Sequence, residues 1–212
     1  MTEFWEENFR EKQSMWGLSP ADAALETVKL FQEHGLQKIL VPGFGYGRNA
    51  KVFMDEGFDV TGIEISETAI DIARKQYGNQ IKVHLGSVSG MPFDNETYGG
   101  IFCYALIHLL DKKDRAKLIA DCYHQLSEGG FMVFVAISTE DHAFGKGEEI
   151  GKNRFLTPHG VELFYYNLDS VNDEFGDYGL LESKTIMEPA KSKKGKPGQK
   201  FWQIVCKKAA VG

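Results

Sequence analysis

Cysteine is scarce. The chain has three in 212 residues, Cys103, Cys122 and Cys206, far apart and without CxxC spacing. An odd, scattered set is not a disulfide framework. It points to reduced thiols and a cytoplasmic protein. Long apolar runs are also missing. None approaches the ~20 residues needed to span a bilayer, so no membrane partner is expected. Basic charge is not in excess: 24 Lys and Arg stand against 30 Asp and Glu, a formal charge of −6. Nucleic-acid domains usually carry a basic face, so a general polyanion binder is not expected. The first residues, "MTEFWEENFREKQSMWG", contain acids and no apolar h-region, unlike a secretory signal. There is no internal repeat and no linker-like stretch. A 42% hydrophobic content is enough for a sizeable core, and the length suits a single domain.

Short apolar runs alternate with amphipathic ones. "KILVPG", "FDVTGIEIS", "QIKVHLGSV", the first half of "YGGIFCYALIHLL" and "FMVFVAIS" read as strands. The fourth is expected to turn near Ala105. "RNAKVFMDEG", "ETAIDIARKQYG" with Ser66 as its cap, and "DKKDRAKLIADCYHQLSEGG" with a Gly-Gly stop read as helices. Strands alternating with helices of this length predict a parallel sheet covered on both faces. The last third differs. "TEDHAFGKGEEIGKNRFLTPHG" reads as a long polar connection, of the kind usually functional or disordered. "VELFYYN" reads as extended and "LDSVNDEFGDYG" as a short helix. "LLESKTIME" and "KFWQIVCKK" read as two strands of a hairpin.

"LVPGFGYGRN" places Gly43, Gly45 and Gly47 at alternate positions between a strand and a helix. A bare backbone there lets a ligand approach the main chain and aims helix N–H groups at it. The spacing is not the GxGxxG of dinucleotide-binding folds. Glu64 ends the next strand, about 20 residues on, where a ribose-binding acid is found in such folds. Together these features point to a nucleoside-bearing cofactor. The alternatives are a tight packing turn and a solvent-facing carboxylate at a strand end.

These segments resemble the motifs of class I S-adenosylmethionine-dependent methyltransferases, over roughly residues 39–138. "VPGFGYGRN" is similar to their glycine turn and "VTGIEIS" to the acidic strand end. "GSVSGMPF" is similar to the adenine segment, "GGIFCYALIHLL" to the strand beside the methyl group, and "QLSEGGFMVF" to the entry of the fifth strand. "LVPGFG" is particularly similar to the thiol/halide and thiopurine branch, and "GRNA" to the tellurite-resistance branch. Three departures stand out: Val41 and Pro42 leave no acid before the glycines, Ser87 replaces an adenine-side Asp, and Gly99 replaces an Asp before the fourth strand.

The resemblance implies an α/β, Rossmann-like, doubly wound fold in one domain. Its seven-stranded sheet would be mostly parallel, with the last strand antiparallel beside the fifth. Residues 1–34 would form a helical cap, 35–138 the cofactor core, and 139–212 the acceptor side. S-adenosylmethionine would contact Gly43, Gly45, Gly47, Glu64, Ile65, Ser87, Val88, Cys103 and Trp16, with no metal. The partner would be a small-molecule acceptor, and the protein a monomer or homodimer. His108 is the best-placed base, against a local hydrogen-bonding role. Tyr104 would pack on the cofactor or gate the acceptor, against a core role. Cys103 also reads as a buried, apolar-like residue. Trp5, Phe9 and Trp16 form a lid or anchor the first helix. Lys191, Lys193, Lys194, Lys196 and Lys200 are expected on the last hairpin, either as a solvated turn or as a basic rim for an anionic acceptor. A noncatalytic cofactor-binding protein and a nicotinamide-dependent oxidoreductase remain the competing readings. The oxidoreductase is disfavoured by the glycine spacing and by the lack of a Ser/Tyr/Lys set.

Overall fold

Each short apolar run bounded by turn residues becomes a strand. The computed structural model describes residues 2–78, 81–190 and 198–210. β1 (Lys38–Pro42), β2 (Asp59–Glu64), β3 (Lys82–Leu85), β4 (Tyr98–Tyr104) and β5 (Leu126–Ile137) pair in parallel. β9 (Leu180–Glu188) and β10 (Gln199–Lys207) complete a seven-stranded sheet of order β3-β2-β1-β4-β5-β10-β9. β10 runs against both neighbours, pairing Phe201 with Ile137 on one side and Ile186 on the other. β9 is therefore parallel to β5, and the antiparallel last strand lies beside the fifth as expected.

Period-two alternation divides the core between the two faces. Ile39, Val41, Phe102, Phe131, Val133 and Val135 pack with Val28 and Phe31 of α2 (Asp22–Glu33) and Phe53 of α3 (Ala50–Asp55). Leu40, Ile101, Cys103, Met132 and Phe134 pack with Leu118, Ile119 and Cys122 of α5 (Lys112–Gln125) and Phe175 of α6 (Leu168–Phe175). Both faces are covered, so the central strands read as near-continuous apolar runs. α1 (Thr2–Lys12) lies against α4 (Glu67–Tyr77), whose N-cap is Ser66.

Two expectations are corrected. The Gly-Gly pair does not stop α5. The helix ends at Gln125 because Leu126 turns extended, is buried and pairs with Tyr98. Gly129 and Gly130 instead meet the end of β10, where Gly129 N donates to Lys208 O and Lys208 N to Gly130 O, both at 3.0 Å. Part of the long connection is β6 (Glu148–Gly151) and β7 (Arg154–Leu156), which form a small antiparallel sheet with β8 (Glu162–Phe164) of "VELFYYN", extended as expected. Phe155 is its anchor, packed edge-on against Phe144 and Tyr165. β6 and β7 are too short for alternation to reveal them. Among the described residues no helix is long and apolar enough to cross a membrane.

Candidate active site

The turn from β1 to α3 bends three times through the left-handed region. Gly43, Gly45 and Gly47 have φ of +72°, +57° and +80°, which L side chains rarely adopt. Gly43 N and Phe44 N both donate to Ile63 O at 3.0 Å, tying the turn to β2. Phe44 is buried, and its ring lies directly over Gly62, where an added Cβ would come within 2.3 Å. The turn therefore sits at the carboxyl ends of β1, β2 and β4, where strand order reverses and open α/β sheets bind ligands.

Glu64 ends β2 and is 6% exposed. Its Oε2 accepts from Gly45 N at 2.7 Å, and its Oε1 from Ile65 N and Ser66 N, each at 2.9 Å. Burial pushes its carboxyl above the usual range, while the three N–H donors pull the other way. A carboxylate has about four lone-pair sites, and three are occupied. The site left on Oε2 can take one hydroxyl without breaking a backbone bond.

The N-terminal segment closes over this turn. Glu6 of α1 accepts from Ser66 Oγ at 2.6 Å, from Thr68 N at 3.3 Å and from the Thr68 hydroxyl. Those bonds hold its carboxyl below the usual range. Tyr46, between two turn glycines, donates its hydroxyl to Gly17 O at 2.7 Å and accepts from Trp16 N at 3.2 Å. Trp16 stacks on the Tyr46 ring at 6.2 Å and 12°, and Phe9 meets the same ring edge-on. Trp5 packs against Trp16. Trp16 is still 52% exposed, so it lies at the outer edge of the turn.

Ile65 and Ser87 are partly exposed beside Glu64 and at the end of β3, while Val88 is buried. The Ser87 hydroxyl is engaged with Ser89, Oγ to Oγ at 2.7 Å. Tyr104, half-buried at the end of β4, carries the Arg48 guanidinium over its ring at 5.8 Å. Burial, with the nearby Glu188, raises the Tyr104 hydroxyl well above its usual range. It is a donor at neutral pH. His108 lies in the 3-10 turn Ile107–Leu109 after β4, and its Nδ1 accepts from Ile137 N at 3.2 Å. Burial lowers it to about 3. Cys103 is wholly buried in the α5 face of the sheet and presents no surface to the cleft. Its burial fits the apolar-like reading. Lys191, Lys193, Lys194 and Lys196 lie outside the described residues. Lys200 is tied down: its N donates to Asp141 Oδ2 at 2.7 Å and its Nζ reaches Glu140 at 3.3 Å.

Four residues at this edge escape a sequence reading. Glu6 carries no signal beyond its place on an amphipathic stretch. Tyr46 and Arg48 sit inside the glycine motif but are not glycines. Leu106 lies against Gly43, 3.0 Å from the position of an added Cβ, because β4 turns back at Ala105, with φ +53°.

Residues 39–130 match the family model of the methyltransferase domain. A protein of Geobacillus sp. (strain WCH70) named as a methyltransferase is 32% identical over 145 residues, covering 65% of this chain and 56% of that one. The chain spans about half the length of the named relatives it matches. Among solved structures, the 1,6-didemethyltoxoflavin-N1-methyltransferase of Burkholderia thailandensis superposes with a TM-score of 0.74 at 14% identity. That match covers 98% of this chain and 87% of the enzyme, which was crystallised with bound 1,6-didemethyltoxoflavin and S-adenosylhomocysteine. TehB from Haemophilus influenzae gives 0.67 at 18%, covering 96% and 67%. Residues 39–130 thus resemble a methyltransferase domain, and the chain has the Rossmann-like fold of these solved methyltransferases.

Proposed function

We propose that the protein is an S-adenosylmethionine-dependent methyltransferase acting on a small-molecule acceptor by direct, in-line transfer. The observation that carries this reading is the Glu64–Gly45 pair: a buried carboxylate held at the glycine turn with one acceptor site left. A ribose hydroxyl needs such an acceptor, so the residues fit the cofactor. Gly43, Gly45 and Gly47 would give it backbone approach and Glu64 a ribose contact. Ile65, Ser87 and Val88 would flank its base, and α1 with Trp16 would cover it. When bound, the cofactor supplies an electrophilic methyl group, so the chain's task is to hold donor and acceptor in line. Tyr104 shapes the acceptor side. His108, neutral and bonded to Ile137, positions the turn after β4 rather than taking a proton.

Residues 1–34 act as cap, 35–138 as cofactor core and 139–212 as acceptor side. The three cysteines are free and buried, in keeping with a cytoplasmic protein. It works as a monomer or homodimer, without nucleic acid. Paired calorimetric titrations with S-adenosylmethionine and NAD, followed by a methyl-transfer screen, test the reading. Binding of the first and transfer to a small acceptor are expected. Binding of NAD alone refutes it, and binding without any transfer leaves a cofactor-binding protein.

A further inference from the structure

Arg48 is the one charged residue in "LVPGFGYGRN". Val41 and Pro42 leave the start of the turn without charge. Gly47, at φ +80°, sends the chain out of the turn so that the next side chain returns over β4. The Arg48 guanidinium then lies 5.8 Å from the Tyr104 ring centroid, within cation–π range. Two neighbouring strand ends, those of β1 and β4, thus present one cation and one aromatic face at the point where strand order reverses.

That cation has little to hold. Among the described residues it donates from Nη1 to Ser19 O at 3.3 Å and bonds the Tyr104 hydroxyl. None of the ion pairs among the described residues includes it. Two acids lie nearby, and both are engaged elsewhere. Glu188 accepts from Ala23 N at 2.7 Å and Asp22 N at 3.1 Å. Asp22 Oδ2 accepts from Ala190 N at 2.7 Å. A guanidinium has five donors in a planar fork that matches a carboxylate, and most of these five are unoccupied. The surrounding acids balance its charge without filling its fork.

We infer that Arg48 is a carboxylate anchor at the methyl-transfer edge, held in place by the Tyr104 ring and the Ser19 carbonyl. The inference rests on the methyltransferase reading, which supplies two carboxylates: the amino-acid end of the cofactor, or an acidic group on the acceptor. An arginine suits either better than a lysine, because the fork fixes orientation as well as charge.

The test uses the full chain as wild type, Arg48→Gln and Arg48→Lys, with thermal melts to establish folding. Each is titrated calorimetrically with S-adenosylhomocysteine and with 5′-methylthioadenosine, which has the nucleoside but no carboxylate. Benzoate is then titrated, as a bare carboxylate probe, into the chain loaded with S-adenosylhomocysteine. If the anchor holds the cofactor, Arg48→Gln weakens S-adenosylhomocysteine by about 10- to 100-fold and leaves 5′-methylthioadenosine unchanged. Arg48→Lys falls between the two. If it holds the acceptor, both nucleosides bind unchanged, and benzoate binds the wild type but not Arg48→Gln. Unchanged nucleoside binding together with no Arg48-dependent benzoate binding overturns the inference. Failure of the wild type to bind either nucleoside overturns the methyltransferase reading instead. The anchor is then judged by benzoate titration of the ligand-free chain, and absence of Arg48-dependent binding there overturns it too.

Discussion

Acidification should destabilise this protein through His108, and His108→Asn should remove that sensitivity. The ring is 6% exposed, with Nδ1 accepting from Ile137 N and Phe201 lying 6.2 Å away. Burial takes it from 6.5 to about 3. A base whose pKa is depressed on folding contributes stability that is complete above the unfolded value of 6.5. That stability is lost as pH falls toward the folded value of about 3. Each pH unit below 6.5 costs about 1.36 kcal/mol. At pH 5 the loss is ~2 kcal/mol relative to pH 7.5, and it stays near that figure for any folded value well below 5. Protonating Nδ1 would also set a donor against the Ile137 N–H. Asn keeps an acceptor oxygen near the Nδ1 position and does not titrate. Urea unfolding of both proteins at pH 7.5 and pH 5.0 should show the wild type losing ~2 kcal/mol more than His108→Asn. Other titrating groups, including Glu64 and Glu6, are common to both and cancel in the difference. Parallel losses would mean that His108 protonates freely in the folded state. That result would restore it as a candidate general base.

Glu64→Ala should weaken S-adenosylmethionine binding by about 1.5–3 kcal/mol, the range for a hydrogen bond to a charged group. Calorimetry on a folded variant with unchanged affinity would contradict the ribose assignment. Glu188→Ala removes both bonds to the start of α2 and should lower unfolding stability by about 1–3 kcal/mol. Denaturant titration checks this, and a midpoint equal to wild type would mean that water caps the helix equally well. Deleting residues 1–17 should weaken cofactor binding while circular dichroism shows the sheet intact. Equal binding by the truncated chain would reduce α1 to a packing element.

Much of the sheet and the glycine turn was legible in the sequence. Short-range rules act there: β1 to β5 are apolar runs whose neighbours are turn residues, and Ser66 caps α4 through its own side chain. The three glycines show as a motif because only glycine tolerates the three positive φ values, so the requirement is local. Glu64 was legible through its distance along the chain from Gly43. The sheet order, with β10 reversed beside β5, came from resemblance rather than from periodicity, since alternation says nothing about which strands meet.

What the chain could not reveal residue by residue lies in contacts between distant segments. The N-cap of α2 is Ala21, which has no capping side chain. The acceptor for its free N–H groups is Glu188, more than 160 residues away at the end of β9. Glu6 reaches Ser66 and Thr68 in the same way, and Tyr46 carries the Trp16–Gly17 backbone. His108 reads as a base in one dimension and becomes a neutral acceptor once Ile137 and Phe201 enclose it. Arg48 reads as a helix-start residue until β4 brings Tyr104 under it. Local propensity sets which segments become strands, helices and turns, because those choices depend on neighbours a few residues away. Burial, pKa and the pairing of polar groups depend on what the fold packs around a side chain, and that was decided only when β1, β4 and β9 brought their ends to one edge of the sheet.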